Sequence, residues 1–276
     1  MKFWQNGRQG TYSFLPVSNF FLEKYGRAPA GVEGLELSNE QAVTFLHLLK
    51  FARVKGKRLY AKVGYERLAA RMNRKSPSTV QKRIAGMGRY IRRIPQTTDD
   101  PRMSEVNLFD LTPLMEALLE LAELGDSELV LAKSKWPTGI LRDTFYTGTT
   151  PIAWDFLEQY PRLNPRISDT EAMMIIQLVR YHSVQKVSDP PSYRNKTHGL
   201  LAGVTPSQAS KCMSNLKKNG YIKIIKNTGR RNQVDLSPLF DVINIDLKPP
   251  KDDEKKQSLP DKIVGIFKGR SIRSGD

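Results

Sequence analysis

A single cysteine, Cys212, leaves the chain without an internal disulfide, and its apolar neighbours Met213 and Leu216 point to a reduced, half-buried core thiol. Histidine is almost as scarce. His47, His182 and His198 show no metal-ligand spacing and none stands beside the cysteine, so neither a metal nor another cofactor is expected. No GxGxxG, HExxH or Ser or Cys nucleophile signature occurs, and VKGKRLY lacks the glycine spacing of a phosphate loop, which argues against an enzyme. Apolar runs long enough to span a bilayer are missing, and the opening MKFWQNGRQG has no signal-peptide core, so a cytoplasmic protein with no membrane partner is expected. Acidic residues run short as well: 28 against 44 Lys and Arg leave a net charge of +16. Such a surplus favours a polyanionic partner, nucleic acid ahead of an anionic membrane surface.

What the chain does contain is a copy of itself. Its 276 residues, 39% apolar, are enough for two domains. The segment PVSNFFLEKYGR, Pro16 to Arg27, matches PIAWDFLEQYPR, Pro151 to Arg162, at one constant offset. Next, Leu37-Ser38-Asn39-Glu40-Gln41-Ala42 and Ile167-Ser168-Asp169-Thr170-Glu171-Ala172 each open an apolar run, as a Ser-capped helix with an early acid does. Finally DLTPL, Asp110 to Leu114, recurs as DLSPL, Asp235 to Leu239, where Thr112 or Ser237 is expected to cap a helix with proline in its first position.

Between these blocks each copy reads as a short helix, a turn, a second helix and two β-like runs. In the second copy Thr205 and Pro206 start the second helix and Gly220 ends it. Ala209, Met213 and Leu216 share one face, while Ser207, Lys211 and Ser214 share the other. In the first copy Ser76 and Pro77 start it, with Val80, Ile84 and Met87 inward and Ser78, Lys82 and Ala85 outward, the same register 129 residues earlier. Strands are expected at 90–94, 104–109, 221–225 and 233–236, around the tips PQTTDDPR and NTGRR. This order predicts a mainly α, α+β chain of tandem, pseudo-symmetric winged helix-turn-helix domains. Its parts would be a first domain 1–125, an ordered linker 126–150 rich in apolar residues, a second domain 151–247 and a polar tail 248–276 with a short docking segment.

Cations concentrate on the proposed helix-turn-helix units: fourteen against one acid from Arg53 to Arg93, and eleven against one from Arg180 to Arg231. Ser104 to Glu128, by contrast, holds seven acids and no Lys or Arg. Ser78, Lys82, Ser207 and Lys211 are therefore the candidate readers of base edges in double-stranded DNA. Arg74, Lys75, Arg83, Arg92, Arg93, Lys226, Arg230 and Arg231 are the candidate phosphate contacts. Glu116, Glu120 and Glu123 share a helical face and read as the solvated side of a helix, with a metal-dependent nuclease as the rarer alternative.

A basic chain with two such units, ending each hairpin in a run like Asp235-Leu236-Ser237-Pro238-Leu239-Phe240, resembles the tandem winged-helix replication initiators of bacterial plasmids and phages. The resemblance covers residues 16 to 247. It implies sequence-specific binding to origin DNA by two pseudo-symmetric domains, frequent homodimerisation, no cofactor and a nucleoid- or plasmid-associated protein. The acidic helix after Thr112 and the C-terminal tail become candidate docking segments for replication proteins. A winged-helix transcription or partition regulator would carry the same unit.

Overall fold

The computed structural model describes residues 14–26, 34–55, 58–94, 106–125, 149–185, 192–193, 199, 201–225 and 232–245. The first copy runs β1 (Phe14–Ser18), α1 (Asn19–Lys24), α2 (Asn39–Leu49), β2 (Ala52–Lys55), β3 (Arg58–Val63), α3 (Tyr65–Arg71), α4 (Pro77–Ala85), β4 (Arg92–Ile94), β5 (Asn107–Asp110) and α5 (Thr112–Gly125). The second runs β6 (Thr149–Ala153), α6 (Trp154–Gln159), a 3-10 turn (Tyr160–Arg162), α7 (Asp169–Gln185), β7 (Ser192–Tyr193), α8 (Pro206–Lys218), β8 (Lys223–Ile225), β9 (Asn232–Asp235) and α9 (Ser237–Ile245). The chain is thus mixed α and β, and its sheets are small and antiparallel, in the orders β1-β6, β2-β3-β5-β4 and β7-β9-β8. No helix among the described residues is long and apolar enough to cross a membrane.

Local chemistry explains where the elements start and stop. Ser38 caps α2 in a reciprocal box with Gln41, and Ser168 caps α7 in the same way with Glu171, which satisfies the orphan N–H groups of both helix starts. At the far end of α8, Gly220 takes φ 78°, Tyr221 N–H donates to Leu216 O, and Gly220 N–H donates to Lys217 O. That is a Schellman stop, and it needs a residue at ease with positive φ. Asn73 (φ 48°) ends α3 by the same pair of bonds, to Ala69 O and Ala70 O.

The DLTPL and DLSPL blocks cap differently from expectation. Asp110 Oδ1 accepts from Thr112 N–H and Asp235 Oδ1 accepts from Ser237 N–H, both at 2.9 Å, so the aspartates do the capping. The Thr112 hydroxyl instead accepts from Leu59 N–H, tying α5 to β3. Three expected strands also begin later, at Arg92, Asn107 and Lys223. Tyr90 and Tyr221 are buried in the turns after α4 and α8, and their hydroxyls donate to Leu35 O and Pro165 O.

The two copies meet face to face. β1 pairs with β6 so that Pro16 lies opposite Pro151, its own equivalent, and Phe14↔Ala153 mirrors Ser18↔Thr149. An antiparallel pair of equivalent strands has a local twofold axis through its middle, here at the two prolines. Behind this ribbon, α2 packs on α7. Residues 42–49 of α2 and 171–180 of α7 are buried on every side, as expected of helices central to a molecule. One continuous buried cluster runs from Leu15 to Ile243 through both copies, so the bodies expected at 1–125 and 151–247 share a core.

Candidate nucleic-acid interface

The outward faces of α4 and α8 carry the residues singled out as base readers. Ser78, Lys82, Ser207 and Lys211 are all exposed, and beneath them Val80, Ile84 and Met87 or Ala209, Met213 and Leu216 are buried. Ser78 is the least available of the four, since its hydroxyl lies 2.7 Å from that of the capping Ser76. Each helix opens with proline in its first turn and a hydroxyl cap, and Thr205 forms a full box with Gln208. Lys75 is exposed in the turn before α4, and Arg92 and Arg93 are exposed on β4, Arg93 lying 6.0 Å from the centre of the Tyr65 ring.

Arg74 and Arg83 require a correction. Expected to grip phosphate, they are turned into the junction between the copies, with side chains only 13% and 14% exposed. Both engage the buried carboxylate of Asp169, the first residue of α7. Arg74 Nη2 donates to both carboxylate oxygens, and Arg83 Nη1 lies 2.9 Å from Oδ2 as an ion pair without hydrogen-bond alignment. Tyr160 O–H donates to Oδ1 at 2.7 Å. A guanidinium already committed to a buried carboxylate is a poor partner for a phosphate. Lys226, Arg230, Arg231 and the tip PQTTDDPR lie outside the described residues, as do the linker beyond Gly125 and the C-terminal tail.

Further cross-copy contacts obey the twofold. Lys50 of α2 pairs with Glu158 at 2.5 Å, and its equivalent Arg180 of α7 pairs with Glu23, the equivalent of Glu158. Arg71 joins Glu158. Burial pushes the Glu158 carboxyl up, but the Lys50 hydrogen bond and the charges of Lys50 and Arg71 outweigh it and hold the group below its usual range. Burial lowers Arg180 to about 10. His47 departs from the symmetry: its equivalent Gln177 donates to Leu22 O and Leu201 O, whereas both His47 ring nitrogens are buried without a hydrogen-bond partner. Desolvation takes its pKa down to about 4, partly offset by Glu158 and Asp169 and reinforced by Arg71 and Lys50.

A second basic surface was hidden in the charge count. The strand pairs Arg53↔Tyr60, Lys55↔Arg58, Tyr60↔Asp110 and Arg92↔Asp110 put Arg53, Lys55, Arg58, Lys62 and Arg92 on one face of the four-stranded sheet. The sequence signal was the alternation of β3, whose burial reads exposed, buried, half-buried, buried, exposed, buried. The β2–β3 hairpin is masked in the sequence because its outward positions are nearly all charged, which reads as a basic cluster before it reads as a strand. In the second copy the corresponding face bears Lys223 opposite Asp235, a balanced pair. Comparison with models of known protein families, with curated proteins and with solved structures gives no match to this chain.

Proposed function

We propose that this protein binds a specific double-stranded DNA site through two winged-helix units, with α4 and α8 as the helices that enter the major groove. The fold reading rests on element order: α2, β3, α3, α4, β4 and β5 with strand order β3-β5-β4 is the winged-helix plan, and β7-β9-β8 repeats its sheet. The single observation that carries the function is the matched pair of exposed Ser/Lys faces, Ser78 with Lys82 and Ser207 with Lys211, on equivalent helices of two copies that pair through the β1–β6 ribbon about its local twofold. Lysine and serine on such faces reach base edges, while Lys75, Arg92 and Arg93 bind the backbone. No catalytic step and no cofactor enter this reading.

A twofold between reading helices demands a twofold in the target. The half-sites should be inverted, centred about one helical turn (~10 bp) apart, and unequal where the copies differ. Hydroxyl-radical footprinting of one bound complex tests this: two protected backbone patches on one face of the duplex are expected, and a single patch would leave only one copy as a DNA reader. Replication of a plasmid or phage is the process we assign, on the resemblance of the tandem basic units to initiators. Loss of plasmid maintenance on deletion of the gene, with an unchanged reporter at its own promoter, is the expected result; the reverse would make the protein a regulator.

A further inference from the structure

We infer that Asp169 is a positioning residue: a carboxylate supplied by the second copy that clamps the reading helix of the first, and so sets the spacing of the two half-sites. The inference rests on the reading of α4 and α8 as DNA-reading helices. Its geometric part stands apart from that reading.

Asp169 is not needed where it stands for the reasons that usually put an acid at a helix start. Ser168 and Glu171 already satisfy the start of α7, through the Ser168 side chain to Glu171 N–H and the Glu171 carboxylate to Ser168 N–H and O–H. The Asp169 carboxylate points the other way, into the first copy. It takes hold of α4 at two points, Arg74 in the turn that leads into the helix and Arg83 near its end, while Tyr160 fixes the carboxylate from behind. The buried face of α4 seats it on its own copy, and anchors before its start and near its end fix its direction against the second copy more closely than either alone.

The other half of the molecule supplies the control. By the offsets of the repeat the counterparts of Asp169 and Arg83 are Asn39 and Cys212, and the counterpart of Arg74 is Val204, whose N–H donates five residues back to Gly199 O as Arg74 N–H does to Ala69 O; all three are neutral. The hydrogen bond from tyrosine survives, Tyr25 O–H to Asn39 Oδ1 at 2.8 Å, so the site is the same and only its charge differs. Asn39 reaches on to Thr170 Oγ1 at a long 3.4 Å, and among the described residues no arginine engages it. At that junction the turn before α8 lies against the first copy by backbone contact, a Cβ on Gly26 falling 3.2 Å from Gly203 Cα, where the clamped junction has Asn73 Nδ2 donating to Pro161 O at 2.8 Å. One reading helix is therefore held by a charged clamp and the other by close backbone packing.

Pulsed electron paramagnetic resonance on the full chain, without DNA, tests the clamp. Spin labels go on Gln81→Cys and Ser210→Cys, exposed and equivalent positions of α4 and α8, in a Cys212→Ser background. With Asp169 present one narrow distance is expected. Asp169→Asn should widen the distribution about twofold as two stranded arginines push α4 off its seat. Adding Arg74→Val and Arg83→Ser, which installs the neutral solution of the other copy, should restore it. An unchanged distribution in Asp169→Asn, or no restoration in the triple variant, overturns the clamp. Should Asp169→Asn fail to fold, Arg83→Ser removes one anchor and leaves the carboxylate paired; it should widen the distribution, and an unchanged width overturns the clamp equally. Binding to duplexes whose half-sites differ in spacing by single base pairs then tests the consequence. The unaltered protein should prefer one spacing by about tenfold, Asp169→Asn by about twofold or less, and the triple variant by about tenfold again. Equal spacing preference in Asp169→Asn and the unaltered protein overturns the specificity role. Failure of the unaltered protein to bind any duplex sinks the DNA reading, and the resonance result still decides the clamp.

Discussion

Asp169 and His47 show how single residues carry the junction between the copies. Removing the Asp169 carboxylate leaves two largely buried guanidinium groups unpaired, so Asp169→Ala should lose about 3–5 kcal/mol of stability in urea unfolding. Asn39→Ala, which removes an acceptor of the Tyr25 hydroxyl and the long contact to Thr170 but strands no charge, should lose about 1–3 kcal/mol. His47 predicts an acid sensitivity whose sign is fixed by its depressed pKa. The folded protein resists the proton until about pH 4, while the unfolded chain takes it up near its ordinary value of 6.5. The stabilisation is therefore complete above pH 6.5 and is lost as the pH falls toward 4, a loss of about 3 kcal/mol. His47→Gln, the side chain found at the equivalent position 177, should flatten the stability profile over that window. Glu158, held low by Lys50 and Arg71, adds a loss only at more acid pH, as the pH falls through its folded pKa.

At the scale of elements, α4 and α8 are amphipathic helices whose two faces answer different questions. Ile84→Ala or Met213→Ala opens a cavity under the helix and should cost about 2–5 kcal/mol, read by thermal or urea unfolding. Lys82→Ala and Lys211→Ala lie on exposed faces and should change stability by less than about 0.5 kcal/mol while weakening specific DNA binding. Loss of the fold in either lysine variant would mean that the helices are turned the other way. The turn before α8 is the third testable element. Gly203 has φ 65°, so Gly203→Ala should cost about 1–3 kcal/mol through backbone strain, read by urea unfolding.

For the whole molecule the consequence is electrostatic. Five of its cations, Lys50, Arg71, Arg74, Arg83 and Arg180, hold the copies together against three carboxylates, Glu158, Asp169 and Glu23, so these five are withdrawn from a polyanion while the net surplus of +16 falls by only two. With the contacts proposed for α4, α8, Lys75, Arg92 and Arg93, about six to ten phosphates should be neutralised, giving a steep fall of log affinity with log salt. A slope corresponding to one or two phosphates would remove two-unit docking. Alanine at Arg74 and Arg83 together should leave that slope unchanged, whereas alanine at Arg92 and Arg93 should reduce it by about two.

The repeat, the capped starts of α2, α7 and α8, and the inward and outward registers of α4 and α8 were legible in the amino-acid order, because each depends on residues within a turn or two of one another. So was the stop at Gly220, where a positive φ selects glycine. The β2–β3 hairpin was not, since charges at its outward positions masked the alternation of Leu59, Ala61 and Val63. The segment 126–150 reads as a linker, yet Thr149 and Thr150 belong to β6 and pair with Ser18 and Val17. Whether an arginine meets phosphate or carboxylate was decided only in three dimensions. Arg74 and Asp169 are 95 residues apart in the chain. Nothing local distinguishes that arginine from Lys75 beside it, which is exposed. Helical period and capping are short-range and written in the order of residues. The pairing of buried charges depends on which surfaces the twofold brings together, and that is settled by the burial of a core the two copies share.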